Sequence, residues 1–456
     1  MFYNIFPIMD CLGILGKEMK NSTAISQNKL EHKDFRWNFA MGLIHGTLFT
    51  GGQAFGSPDT ILPVFLNHFT SSKILVGLSS TLLGSLGSIG GVLPQLFVAN
   101  RLETKAHKKP VLRAAITVRA LCWGLLSLTT LLFARSHPHT TVFLLFVFLL
   151  VFTVMGGVAS VPFYDIWGKT LPSTMRGRFF GHRQFWGGIL AVGSGFIAKA
   201  ILGNSRIDFP DNFSLLFLLA FIFMGVSYLA LGSVREPLQE VYKESLPFKN
   251  FLKRVFAILK SNSNYRKFLA VQIFGGAGAL ALPFYVLYAK DILHIELKMV
   301  GIFLMAQMIG SVVSNILWAY LSDFTGNKRV VQISTLMGII PPLVVLISPH
   351  QFHELYILLF AVIGFFIAGR LIGKTNFLLD MAPPKERLLY ISVNGTLTIP
   401  VMIFPLLGGI IVQHVSYSFL FILTTALILV GLLLSFRLED PRNGRSAGRI
   451  VQSSSL

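Results

Sequence analysis

Apolar and polar positions do not alternate along this chain. Apolar residues come in long blocks, and short clusters of basic residues separate the blocks. Twelve blocks stand out, at 40–67, 74–100, 111–133, 140–168, 179–202, 212–234, 267–290, 297–321, 330–348, 355–379, 388–412 and 416–437. A helix crosses the hydrocarbon of a bilayer in about 20 residues, and each block supplies roughly that length. The pattern predicts an all-α membrane protein with twelve transmembrane helices. It divides the chain into a cytoplasmic N-terminal segment (1–36), a six-helix half (37–234), a cytoplasmic linker (235–266), a second six-helix half (267–438) and a cytoplasmic tail (439–456).

Composition agrees. Of 456 residues, 53% are hydrophobic and 13% charged, with mean hydropathy +0.66. The charged share is about half that of a soluble domain. The net charge of +19 would suggest nucleic acid in a soluble protein. Here the basic residues gather between the apolar blocks, which makes them topology signals and argues against a nucleic-acid partner. With both termini cytoplasmic, 31 of the 39 Lys and Arg fall inside, and six (Lys73, Arg135, Lys199, Arg206, Lys290 and Lys298) fall outside. Arg119 and Arg370 remain within the membrane. This bias sets the expected orientation, in the plasma (inner) membrane. The first 16 residues are apolar but lack a basic start and a small-residue cleavage site, which speaks against a signal peptide. Cys11 and Cys122 form no CxxC site or disulfide framework.

The linker contains "LPFKNFLKRVFAILKS". Phe248, Phe251, Leu252, Val255, Phe256 and Leu259 share one helical face, and Lys249, Lys253, Arg254 and Lys260 take the others. An amphipathic helix on the cytoplasmic membrane surface is expected there.

The two halves repeat weakly. A shift of 220 places Pro63 on Pro283, Ala99 on Ala319, Glu103 on Asp323, Ala106 on Gly326 and Lys108 on Lys328. A shift of 211 places Pro172 on Pro383 and Arg176 on Arg387. Two pseudo-symmetric six-helix halves, related by an axis along the membrane normal, are the expected origin. In the loop "WAYLSDFTGNKRV", Gly326 suits a tight reversal that needs positive φ. Asp323 ends a helix, where an anion needs compensation, from Lys328 and Arg329 or from a neighbouring helix N-terminus.

With these residues the chain resembles the major facilitator superfamily (MFS) of secondary transporters. Leu321, Asp323, Gly326, Lys328 and Arg329 fit that family's loop signature, while Ala319, Phe324 and Asn327 depart from it; Glu103 belongs to a degenerate first copy. The resemblance implies the MFS fold and alternating access. It implies that Asp323, and more weakly Glu103, latch the cytoplasmic side while the cavity faces outward. Arg176 and Arg387, with Asp165, are the matching inner-gate candidates. The first, fourth, seventh and tenth helices are implied to line the central cavity.

Ionisable residues at membrane depth are costly and point to function. Asp59 lies in "FGSPDTILP", between Pro58 and Pro63 and after Gly51, Gly52 and Gly56, where an interrupted helix is expected. Arg370 lies deep in the tenth block. Both fall on helices that the resemblance assigns to the cavity, so they lead the substrate and coupling candidates, followed by His45 and Arg119. Arg370 suits an anion. Asp59 suits a cation or a proton; mutual neutralisation of the two is the alternative. Arg119 also suits a structural ion pair within the first half. Asp165, Arg183 and Lys374 lie close enough to the inner interface to snorkel. "IPVMIFPLLGG" in the eleventh block resembles an antiporter motif, but in the wrong helix, so kinking and packing are its expected work.

No cofactor or metal motif is present: "AGRLIGKT" has Ala368 where a phosphate loop needs glycine and follows no strand. The expected function is movement of a small molecule, with a proton or ion as possible coupling partner, by a monomer in the bilayer. Two rivals remain at this stage. One is a sensor or scaffold without flux. The other is a lipid-acting enzyme, for which Asp165 with His182 is the thin candidate.

Overall fold

The computed structural model describes residues 26–84, 102, 107–237, 258–347, 353–383 and 386–441, with the side chains of 26–33, 173–174, 353–354, 387–389 and 392 also left aside. Those residues form helices and turns with no strand among them. In chain order the helices are α1 (Ser26–Ala54), α2 (Ile61–Asn67), α3 (Lys73–Leu83), α4 (Lys109–Phe133), α5 (Pro138–Thr170), α6 (Ser173–Leu202), α7 (Asp211–Ser233), α8 (Ser263–Gly275), α9 (Leu282–Asp291), α10 (Lys298–Thr325), α11 (Asn327–Met337), α12 (Ile340–Ile347), α13 (His353–Met381), α14 (Arg387–Leu397), α15 (Ile399–His414) and α16 (Tyr417–Phe436).

These sixteen helices make twelve membrane segments, because four segments are interrupted. Each interruption has a local cause. Pro58 has no N–H to offer the carbonyl of Ala54, so α1 ends there and α2 resumes at Ile61. Gly275, Gly276 and Gly278 favour the 3₁₀ turn Gly276–Leu280 that separates α8 from α9. Pro341 and Pro342 follow the break in the ninth segment, and Pro400 follows the break in the eleventh. A shift of 220 carries the first interruption (55–60) onto 275–280, so the sequence repeat is also a repeat of helix breaks.

Some uninterrupted segments begin on proline or a capping side chain. Pro138 opens α5, and Ser416 accepts a hydrogen bond from the N–H of Phe419 at the head of α16. Ten stretches are long and apolar enough to cross a membrane. The first segment and α3 complete the twelve; residues 85–100, predicted to continue α3, lie outside the described residues. On α4, Val118, Leu121, Leu125, Leu128 and Leu132 are exposed at spacings of three and four. That stripe is the lipid face. The chain is an integral, multi-pass membrane protein. The predicted linker helix around 248–257 lies outside the described residues.

The halves meet closely at one end, here termed the closed end. Gly77 on α3 lies against the backbone of Pro405, and Gly409 against that of Lys73. On the other flank, Gly188, Gly195 and the backbone at Lys199 meet Val312, Met305 and Gly301 in turn. Beyond that stretch α10 leaves α6. Val313, Ile316, Tyr320 and Phe324 on α10 are exposed, as are Gln184 and Phe185 on α6. The cross-half contacts therefore cluster at the closed end.

Candidate functional site

Asp59 sits in the interruption of the first segment and is only 2% exposed. Its carboxylate accepts a hydrogen bond at 3.4 Å from Nε2 of Gln307, which belongs to the other half. Ser80 Oγ donates to the carbonyl of Pro58 at 2.7 Å and pins the broken backbone to α3. Asp59 thus lies on the seam between halves, as expected for an interrupted helix that leaves polar groups at depth.

Arg370 lies on α13 beside the second interruption. Its Nη2 donates to the carbonyl of Gln272. A Cβ at Gly276 would stand 2.6 Å from that guanidinium, so the glycine makes room for it. Among the described residues Arg370 makes no ion pair. Next to Arg370, a pocket of about 70 Å³ is lined by Gln272, Ile367, Leu371, Lys374, Thr398 and Val401, among others.

His45 is buried, with Nδ1 2.7 Å from Ser227 Oγ, and that hydroxyl also donates to the His45 carbonyl. Among the described residues Arg119 makes no ion pair. Its guanidinium lies over Phe152 at 4.2 Å, with the rings of Phe49 and Tyr228 at 5.6 and 5.7 Å. Arg183 lies over Phe163 at 5.0 Å. The first half thus holds two arginines by aromatic faces rather than carboxylates.

At the end opposite the closed one, Asp165 pairs with Lys108 at 2.9 Å and with Lys169. Arg176 donates to the carbonyls of Gly168 and Leu171, capping α5. Both therefore serve the first half's own end of the bundle in this conformer. Arg387 begins α14; its side chain, and all of Glu103, lie outside the described residues. Gly326 has φ +88°, as the tight reversal requires. Asp323 is exposed and makes no hydrogen bond or ion pair among the described residues. Neither Lys328 nor Arg329 compensates it: Lys328 reaches the Phe436 carbonyl at 3.5 Å and Arg329 faces outward. Asn327, a departure from the family signature, makes the tight contact instead. It donates to Asp380 at 2.6 Å and accepts from Ser322 at 2.6 Å.

Sequence reasoning missed two groups. Glu236 is buried at the head of α4, accepting from the N–H groups of Lys108 and Lys109 at 3.1 and 3.0 Å. Asp291, at the closed end, accepts from Lys73 at 2.6 Å, Tyr417 at 2.9 Å and Asn67 at 3.1 Å. The available signal was an acid among outside lysines, "AKD", with nothing local to neutralise.

Residues 268–455 match the family model described as Major Facilitator Superfamily. Over those residues, most of the second half, the chain is similar to that superfamily. The likeness in fold to solved transporter structures extends over most of the chain. A D-xylose–proton symporter superposes with TM-score 0.67 at 13% identity, covering 88% of this chain and 98% of that one. The nucleoside transporter NupG gives 0.64 at 13%, covering 88% and 99%. A partially occluded, inward-open form of the xylose transporter XylE from E. coli gives 0.63 at 16%, covering 89% and 98%. An uncharacterised protein of Mycobacterium tuberculosis is 24% identical over 406 residues, 86% of this chain and 75% of that protein. Among the described residues, no group of three or more His, Cys, Asp and Glu is placed to hold a metal ion.

Proposed function

We propose that this protein moves a small molecule across the membrane by alternating access, with Asp59 as the proton-coupling group and Arg370 as a substrate contact. The observation that carries the reading is the place of Asp59: a buried carboxylate in a broken helix, on the seam, touching Gln307 of the opposite half. Any motion that parts the halves there changes its surroundings, and a carboxylate whose surroundings change between two states couples protonation to the motion. The positive-inside bias puts both termini in the cytoplasm, so the closed end is the outer one and this conformer faces inward. The XylE structure to which this chain is similar is partially occluded and inward open, which supports the assignment. The Asp323 loop, with Glu103, then latches the outward-facing state, while His45 and Arg119 shape the first half beside the cavity. The protein works as a monomer in the plasma membrane.

Counterflow of a labelled solute panel in proteoliposomes tests this reading. Exchange of at least one solute is expected. Binding without exchange would favour a sensor; turnover of lipid would favour an enzyme.

A further inference from the structure

Arg370 and Lys374 stand four residues apart on α13, on the same helical face. Both line the pocket described above, and both also line a second, smaller one on the side of Phe268, Val331 and Thr335. Two like charges one turn apart repel, and the surrounding apolar bundle screens them poorly. A carboxylate would relieve the repulsion, yet neither cation has one among the described residues. Of Arg370's donors, Nη2 is the one engaged, on the Gln272 carbonyl. Among the described residues Lys374 makes no hydrogen bond or ion pair. The pocket wall contributes little else that is charged: Ile367, Leu371, Val401 and Met402 are apolar, and Gln272 and Thr398 are neutral. Gln272 is itself fixed, donating to Asn394 Oδ1 at 2.6 Å.

We infer that the pocket beside Arg370 and Lys374 is an anion subsite, and that the transported molecule carries a carboxylate or phosphate held there by both side chains. The planar guanidinium offers paired donors that match two oxygens of such a group, and the ammonium supplies a point charge one turn away. Gly276 is part of the device, since any side chain there would push the guanidinium from its seat. This inference rests on the transport reading and names its substrate class.

The test uses the full-length protein in neutral detergent, with sodium phosphate, sodium succinate and sodium chloride at matched ionic strength as probes of thermal unfolding. Phosphate or succinate should raise the midpoint above chloride. Arg370→Gln and Lys374→Gln should each weaken the apparent affinity at least tenfold, and Lys374→Arg should restore it, which separates charge recognition from damaged folding. Identical midpoints in the three salts, or an unaltered response in Lys374→Gln, overturn the anion subsite. A parallel arm adds phosphatidylglycerol. Stabilisation by that lipid but not by the soluble anions assigns the pocket to a headgroup and overturns the substrate class. Counterflow separates the two readings: exchange of neutral or cationic solutes alone leaves transport standing and removes the anion, whereas exchange of no solute removes transport itself.

Discussion

Lys73 and Asp291 meet across the seam between halves, with Nζ 2.6 Å from the carboxylate. Asn67 and Tyr417 share that carboxylate, and the backbone N–H of Lys73 donates to Gln413 at 2.8 Å. Five segments are thereby tied at the closed end. The pair is partly exposed, so its worth is modest, about 1–2 kcal/mol with its neighbours.

The first prediction follows from that clamp. Asp291→Asn should raise the population open at this end by roughly five- to thirtyfold, the factor that 1–2 kcal/mol implies. Spin labels at Thr70 and Val415 report it as growth of a long-distance peak. Lys73→Gln should act in the same direction, and the double variant should do little more than either alone, because the two share one interaction. Unchanged distance distributions would show that the clamp does not hold the closed end.

A second prediction concerns helix approach in the other half. An ideal Cβ at Gly310 would lie 2.0 Å from the Ala361 carbonyl oxygen, and one at Gly364 would lie 1.9 Å from that of Gln307. Backbone atoms cannot step aside, so α10 and α13 must separate. Gly310→Ala or Gly364→Ala should lose about 1–3 kcal/mol. Gly395→Ala, with nothing within 4 Å, should be neutral or gain up to about 1 kcal/mol. Thermal unfolding in detergent compares the three, and equal midpoints would refute the packing argument.

Why some of this was legible in the sequence and some was not comes down to the range of each signal. Helix spans, the break at Pro58, positive φ at Gly326 and the packing role of Gly408 and Gly409 are local or rest on residue size, so the one-dimensional pattern carries them. The first helix begins earlier than the apolar block, at Ser26 rather than 40, because polar residues continue a helix beyond the bilayer. Lys73 with Asp291, and Glu236 with Lys108, are pairings over 218 and 128 residues. No periodicity encodes them. The Asp323 loop shows the same limit: the motif drew attention to Asp323, while Asn327 and Asp380, 53 residues apart, form the contact.

A third prediction addresses that loop. In this conformer Asp323 is solvated, so Asp323→Asn should leave its thermal stability within about 0.5 kcal/mol. The same substitution should lower the outward-facing share, read as reduced crosslinking between the loop at 323–329 and its neighbours, and transport should fall with it. Gly326→Ala should instead cost about 1–3 kcal/mol in both states, since φ +88° with ψ 157° belongs to a region essentially reserved for glycine. If Asp323→Asn changes neither conformer shares nor uptake, the loop is only a solvated turn.

The fourth is a pH dependence. His68, just beyond α2, stacks on Phe209 with ring centres 4.3 Å apart, and its Nδ1 lies 2.8 Å from the Val64 carbonyl. Burial of the ring against this wall, with Lys290 nearby adding like charge, lowers its pKa from 6.5 to about 4, although the residue keeps an exposed edge and the carbonyl contact opposes the shift. The folded state therefore resists a proton that the unfolded chain accepts. Stability should be constant above about pH 6.5 and fall as pH drops from there toward 4. His68→Phe should flatten that decline without altering the midpoint difference above pH 7. Parallel pH profiles for both proteins would mean that His68 titrates normally.

The fifth prediction tests coupling at Asp59. The carboxylate is buried, touches Gln307 across the seam, and sits where the first segment is broken. Asp59→Asn preserves the shape and the hydrogen bond from Gln307 but removes the capacity to lose a proton. Uptake driven by a pH gradient should be abolished. Counterflow should persist, because exchange of solute for solute moves no net proton. Gln307→Leu should weaken coupling less, since it removes a neutral partner and leaves the titrating group in place. The two assays must be run on the same vesicles, so that loss of uptake is not confused with loss of protein. Loss of both assays in Asp59→Asn would make the residue a substrate contact or a structural one. Retention of gradient-driven uptake would remove Asp59 from the coupling step altogether.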